Sequence, residues 1–138
     1  VDEPTAGLDP TERNRFHNLL SEIGENTIVI LSTHIVEDVT NLCSNMAIIC
    51  LGQVIATGHP GELVKEMDGS IWKKLINKAD LGAHMAAFKV ISTRLKAGKT
   101  EIHVFNESQP DHSFTAVNAD LEDVYFTRIG ERMELELV

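Results

Sequence analysis

Long apolar runs are missing from this chain. No stretch approaches the roughly 18 residues that a membrane-spanning helix needs, and no basic-then-apolar leader opens it, so any link to a membrane is expected to run through a partner. Cations are scarce: 12 Lys and Arg stand against 21 Asp and Glu, a net charge of −9. Phosphate contacts need clustered Lys and Arg, so nucleic acid is not an expected partner. Cysteine is limited to Cys43 and Cys50. Two cannot build a disulfide framework, and their apolar surroundings read as buried reduced thiols in a cytosolic setting. Internal repeats and low-complexity tracts are also missing.

What is present suits one modest core or two small subdomains. Val1 leads at once into an acidic motif, which reads as a cut through a larger protein. Charge is uneven: residues 62–99 carry eight Lys/Arg against four Asp/Glu, residues 1–61 two against eight, and residues 100–138 two against nine. The basic stretch reads as the solvated face of a separate subdomain.

Asp9-Pro10-Thr11-Glu12 predicts a helix start, with an acid at the N-cap, proline at the first helical position and glutamate at the third. Phe16, Leu19, Leu20 and Ile23 fall at i, i+3, i+4, i+7, which predicts one core-facing stripe, and Gly24 ends it. The β-branched run over 27–32 predicts a strand buried on both faces of a parallel sheet. Thr33-His34 reads as a turn, Ile35, Val39, Leu42 and Cys43 as a short amphipathic helix, and 46–51 as another buried strand. Gly52-Gln53 reads as a tight turn into an edge hairpin over 54–57, and Gly58-His59-Pro60-Gly61 as a further break. This alternation predicts α/β, helices layered on a mostly parallel sheet.

A boundary is expected at Met67-Asp68-Gly69. Beyond it the pattern predicts a small α+β region: strands near 70–76, 88–95 and 100–105, a helix over 80–87, a turn at Lys96-Ala97-Gly98-Lys99 and a loop over 107–113. A closing helix starts at Asp120, acid-rich in its first turn as the macrodipole favours.

Val1-Asp2-Glu3-Pro4 reads as the end of an apolar strand that delivers two adjacent carboxylates into a turn, in the crevice where α/β sheets bind ligands. By itself such a pair is more often a solvated turn. Its continuation, Asp2-Glu3-Pro4-Thr5-Ala6-Gly7-Leu8-Asp9-Pro10, followed farther on by Ser32-Thr33-His34, resembles the ATP-binding cassette (ABC) family of transporter ATPases. The resemblance covers residues 1–66 and implies the carboxy-terminal part of a P-loop NTPase (RecA-like) core. It implies that Asp2-Glu3 ends the Walker B motif, that Ala6-Gly7-Leu8-Asp9 is the D-loop and that His34 is the switch histidine. Carried over, Asp2 would help hold Mg²⁺ through water, Glu3 would polarise the attacking water, and His34 would contact the γ-phosphate and orient that water. Asp9 would act across the interface with a second ATPase subunit. The implied cofactors are ATP and Mg²⁺. The implied partners are a membrane permease and that second subunit, on the cytoplasmic face of a bacterial membrane.

Plainer readings stand beside these. Asp9 serves as a helix cap whatever else it does, and a lone His34 is by default a turn histidine. His34 and Glu37 at i, i+3 lack a third metal ligand. His17, His59, His84, His103 and His112 share no spacing and read as surface or loop residues, Trp72 as a packing anchor, and Lys73, Lys74 and Lys78 as a solvated face.

Residues 67–130 resemble the accessory region that follows the cassette in exporter-type ATPases, the part ending in a helix like Leu121-Glu122-Asp123-Val124-Tyr125-Phe126, and the accessory subdomain is expected over 67–138. The resemblance implies subunit contacts or regulation there. Two family motifs are missing from the chain: the G-x-x-x-x-G-K-[ST] loop that cradles phosphates and a Leu-Ser-Gly-Gly-Gln signature. The expected function is therefore the ATP-binding and ATP-hydrolysing subunit of an ABC transporter, in the direction of export, with these 138 residues inactive alone. Two alternatives stay open: an interaction module on a cassette remnant, and a soluble ABC ATPase of DNA maintenance or translation.

Overall fold

The computed structural model describes residues 1–137, with side chains through Glu134. The chain forms two compact units, Val1–Met46 and Ala47–Val138.

In the first unit, α1 (Pro10–Gly24) begins as its sequence dictates: Asp9 Oδ1 accepts the Glu12 N–H at 2.8 Å, and the Glu12 carboxylate accepts the Asp9 N–H at 3.4 Å. This reciprocal box satisfies two of the donors that every helix start leaves open. A second helix, α2 (Val36–Leu42), packs against α1. The expected stripe on α1 is only half covered, with Leu19 49% and Ile23 43% exposed, and the buried residue of the helix is His17. The expected strand over 27–32 does not form. Its pairing is one parallel bridge, Asp2 with Ser32, drawn by Ser32 N–H to Val1 O at 2.9 Å and Glu3 N–H to Ser32 O at 2.7 Å. A central strand needs ladders on both sides, and here a three-residue partner supplies part of one side. Ile28 and Ile30 are consequently 92% and 80% exposed.

Antiparallel pairing dominates the second unit, so the expected mostly parallel sheet is not what the described residues form. β1 (Met46–Cys50) and β2 (Gln53–Gly58) make a hairpin, half exposed where a buried strand was expected: Ile48 is buried and Ile49 is 67% exposed. Its turn is Leu51-Gly52, one residue earlier than the sequence suggested. Both have positive φ, 52° and 74°, the type I′ geometry that matches strand twist. Where the sequence showed only a break, a short α3 (Pro60–Lys65) starts, with the His59 ring accepting the Gly61 N–H at 3.0 Å.

A four-stranded sheet follows in the order β4-β5-β3-β6, formed by β3 (Ile71–Ile76), β4 (Val90–Lys96), β5 (Lys99–Phe105) and β6 (Thr115–Ala116). Trp72 lies opposite Val104, Lys74 opposite Ile102 and Ile76 opposite Thr100, which puts these side chains on one face. The core gathers on that face: Ile76, Ile102, Val104 and Phe114, with Trp72, Phe88, Val90 and Leu81 of α4 (Leu81–Ala87) packed against it. Trp72 is thus the packing anchor its sequence context suggested. The opposite face carries Glu101 and His103 towards the closing helix α5 (Leu121–Leu137), where His103 Nδ1 lies 2.9 Å from Asp123 Oδ1. Asp120 and Asp123 exchange backbone-to-carboxylate bonds at 3.0 and 2.9 Å and cap that helix.

His17 and His103 are therefore not surface residues. Each is buried because a carboxylate meets its ring. Residues 47–66 belong to the second unit, where α3 and β2 contact α5 and Leu63 is buried.

Candidate metal- and water-handling site

The first unit gathers Asp2, Glu3, Ser32 and His34 where the chain's start meets residues 30–34. Glu3 has φ 48°, the left-handed region that a non-glycine residue rarely occupies, so its carboxylate is aimed at the expense of backbone strain. The bond from Glu3 N–H to Ser32 O and the turn from Ala6 N–H to Glu3 O, 3.3 Å, hold that conformation. The hydroxyl of Ser32 donates to Asp2 Oδ1.

Glu3 and His34, paired by motif alone in the sequence, are neighbours here. The His34 backbone N–H donates to Glu3 Oε1 at 3.1 Å, and the ring Nδ1 stands 2.9 Å from Oε2. That approach is off the hydrogen-bond line, so Oε2 is a buried oxygen without a hydrogen-bond partner. The imidazole is 76% exposed, which leaves its far nitrogen open to an incoming group. Asp9 stands apart, at the far end of the loop, committed to capping α1.

Carboxylate and hydroxyl oxygens are the donors Mg²⁺ prefers, and Asp2 with the Ser32 hydroxyl beside it offers that chemistry. Among the described residues no group of three His, Cys, Asp or Glu could hold a metal unaided. Mg²⁺ here would therefore depend on water and nucleotide oxygens for its remaining ligands. For the nucleotide's phosphates the chain offers no glycine loop, so ATP does not fit these residues alone.

Behind this set lies a polar cluster that residue spacing did not reveal. Asp38 of α2 is fully buried and receives Thr5 Oγ1 at 2.6 Å and Thr33 Oγ1 at 3.3 Å on Oδ2, with His17 Nε2 2.8 Å from Oδ1. Burial pushes the Asp38 carboxyl up, but these three partners outweigh it and hold the group below its ordinary 3.8. The same charge, after burial, raises the Cys43 thiol. Cys43 and Cys50 are free and partly buried. The only sequence signal for the cluster was Thr5 inside the quoted motif and Asp38 one helical turn after His34.

No family model matches the chain. It is 30% identical over 138 residues to the daunorubicin/doxorubicin resistance ATP-binding protein DrrA of Streptomyces peucetius, an alignment covering 99% of this chain and 38% of that protein. It is 26% identical over 144 residues to the Nod factor export ATP-binding protein I of Paraburkholderia xenovorans, covering 97% of the chain and 47% of the relative. A shorter match, 32% over 69 residues, links it to the energy-coupling factor transporter ATP-binding protein EcfA2 of Streptococcus sanguinis, covering 49% and 25%. The chain spans less than half the length of each of these relatives. The first two alignments run through residues 67–138 as well as the acidic motif, and with relatives of one kind along nearly its whole length the chain belongs to the ATP-binding cassette family of transporter ATP-binding proteins.

Proposed function

We propose that these residues form the metal- and water-handling end of the ATPase site in the ATP-binding subunit of an ABC transporter that drives export. The observation that carries this reading is the Glu3–His34 pair, its ring nitrogen and carboxylate oxygen 2.9 Å apart and Glu3 set on strained backbone. The attacking water's oxygen lone pair forms the new P–O bond in line as the bond to the ADP oxygen breaks, and the proton it sheds passes to the Glu3 carboxylate. His34 holds the carboxylate through its backbone N–H and offers its outer ring nitrogen to a γ-phosphate oxygen. Mg²⁺, when bound beside Asp2, supplies neutralisation of the phosphate charge. Asp9 serves the contact with a second ATPase subunit, and residues that grip the phosphates come from outside these 138.

Residues 1–66 are assigned to the cassette and 67–138 to an accessory region for subunit contact or regulation. A membrane permease is the partner, with the subunit on the cytoplasmic face of the membrane. Among the described residues no helix is long and apolar enough to cross a bilayer, which fits a link through a partner. Export is favoured over import by the name of the Nod factor export ATP-binding protein I, which aligns along nearly the whole chain. The test is Glu3→Gln in the complete subunit. Mg-ATP binding should persist while hydrolysis slows about 10²-fold or more, the scale of a lost acid–base group. Turnover at the wild-type rate would remove Glu3 from this role.

A further inference from the structure

We propose that Asp38 is a positioning residue for hydrolysis: through Thr5 and Thr33 it fixes the spacing between Glu3 and His34. The inference rests on the reading of that pair as the water-handling groups. Its basis is convergence on one atom. Asp38 Oδ2 receives the hydroxyl of Thr5, two residues after Glu3, and the hydroxyl of Thr33, the residue before His34. The loop bearing the carboxylate and the turn bearing the imidazole are thus tied to the same oxygen.

Asp38 is itself held. Its other oxygen faces His17 on α1, and its helix starts just after Ile35, whose N–H donates to Thr33 Oγ1 at 2.9 Å. Asp38 and Thr5 are fully buried, so water does not compete for these bonds. Bonds to a buried carboxylate are short and strong, as the 2.6 Å Thr5 contact shows, and a displacement of either loop stretches one of them. The backbone already links the same two segments by the bond from Glu3 N–H to Ser32 O. That bond sets the strand register, while Asp38 constrains the loops on either side of it.

Thr5→Val keeps the shape of the side chain and deletes the donor, and Thr5→Ser restores the donor. In the complete subunit, Thr5→Val should lower kcat on the order of 10²-fold, the scale of an ångström's misplacement of reacting groups. KM for Mg-ATP should stay unchanged, and Thr5→Ser should recover most of the rate. Should Thr5→Val fail to fold, Thr33→Val at the half-buried end of the bracket is expected to give the same split of kcat from KM. Wild-type kcat per folded molecule in the folded Val variant, with only a lowered Tm, would reduce Asp38 to packing and overturn the proposal. Glu3→Gln measured alongside separates the two ideas. Full turnover there overturns the assignment of Glu3 itself, whatever the Thr5 variants do.

Discussion

Raising the pH should weaken the second unit through one buried histidine. In β5, both ring nitrogens of His103 face carboxylates: Nδ1 is 2.9 Å from Asp123 Oδ1, and Nε2 is 3.4 Å from Glu101 Oε1. The bond to Asp123 raises the His103 pKa above its ordinary 6.5, and this outweighs burial, which acts the other way. Lys96 lies 3.3 Å from Glu101, Asp120 bonds Asp123, and Lys73 of β3 stands opposite His103 in the ladder. A histidine whose folded pKa exceeds its unfolded value adds stability that is complete below about 6.5 and lost as pH rises through the folded pKa. Asp123 behaves oppositely. Burial raises it, but His103 and Asp120 outweigh burial and leave it below 3.8, so its contribution is lost only in acid.

Between those limits the unit should sit on a stability plateau. Above about pH 6.5 it should lose up to about 1.4 kcal/mol per pH unit, the slope for one proton, until the folded pKa is passed. Trp72 is the only tryptophan and lies in this unit, so its fluorescence in urea titrations at a series of pH values reads the effect directly. His103→Gln should be less stable at low pH and should flatten the alkaline slope. A wild-type stability that stays level or rises over this range would refute the reasoning, as would an unchanged slope in the variant.

The 138-residue chain alone should bind Mg-ATP no tighter than weakly in titration calorimetry, because its acids would meet the phosphates without a phosphate loop. A dissociation constant in the low micromolar range would reveal a phosphate-binding element elsewhere in the chain. Phe114→Ala should cost about 3–5 kcal/mol, since the ring is 2% exposed and packs edge-on to Phe88 at 5.0 Å; the urea midpoint checks it.

Local signals were legible because they carry their own partners. Asp9 and Glu12 sit three residues apart and cap each other, and Gly98, at φ 81° between β4 and β5, marks the turn read over Lys96-Ala97-Gly98-Lys99. The run at 27–31 was not legible, because β-branched composition records a preference for the extended state and says nothing of whether neighbours are there to ladder with it. His17 and His103 failed for a related reason. Their carboxylates lie 21 and 20 residues away, beyond any periodicity, so a buried histidine–carboxylate pair looked like a stray polar residue. At the site, Glu3 and His34 were legible through a motif, whereas the strain at Glu3 and the bracket at Asp38 exist only once the chain is folded.

The exposure of Ile28 and Ile30 also bears on handling. An apolar, β-branched segment that is barely paired is a template for the same segment of another molecule, the route by which open edges lead to aggregates. The net charge of −9 works against such encounters by keeping molecules apart. Salt shortens that repulsion to a Debye length of about 10 Å at 0.1 M and about 3 Å at 1 M. Ionic strength therefore helps set the concentration at which the isolated chain stays dispersed.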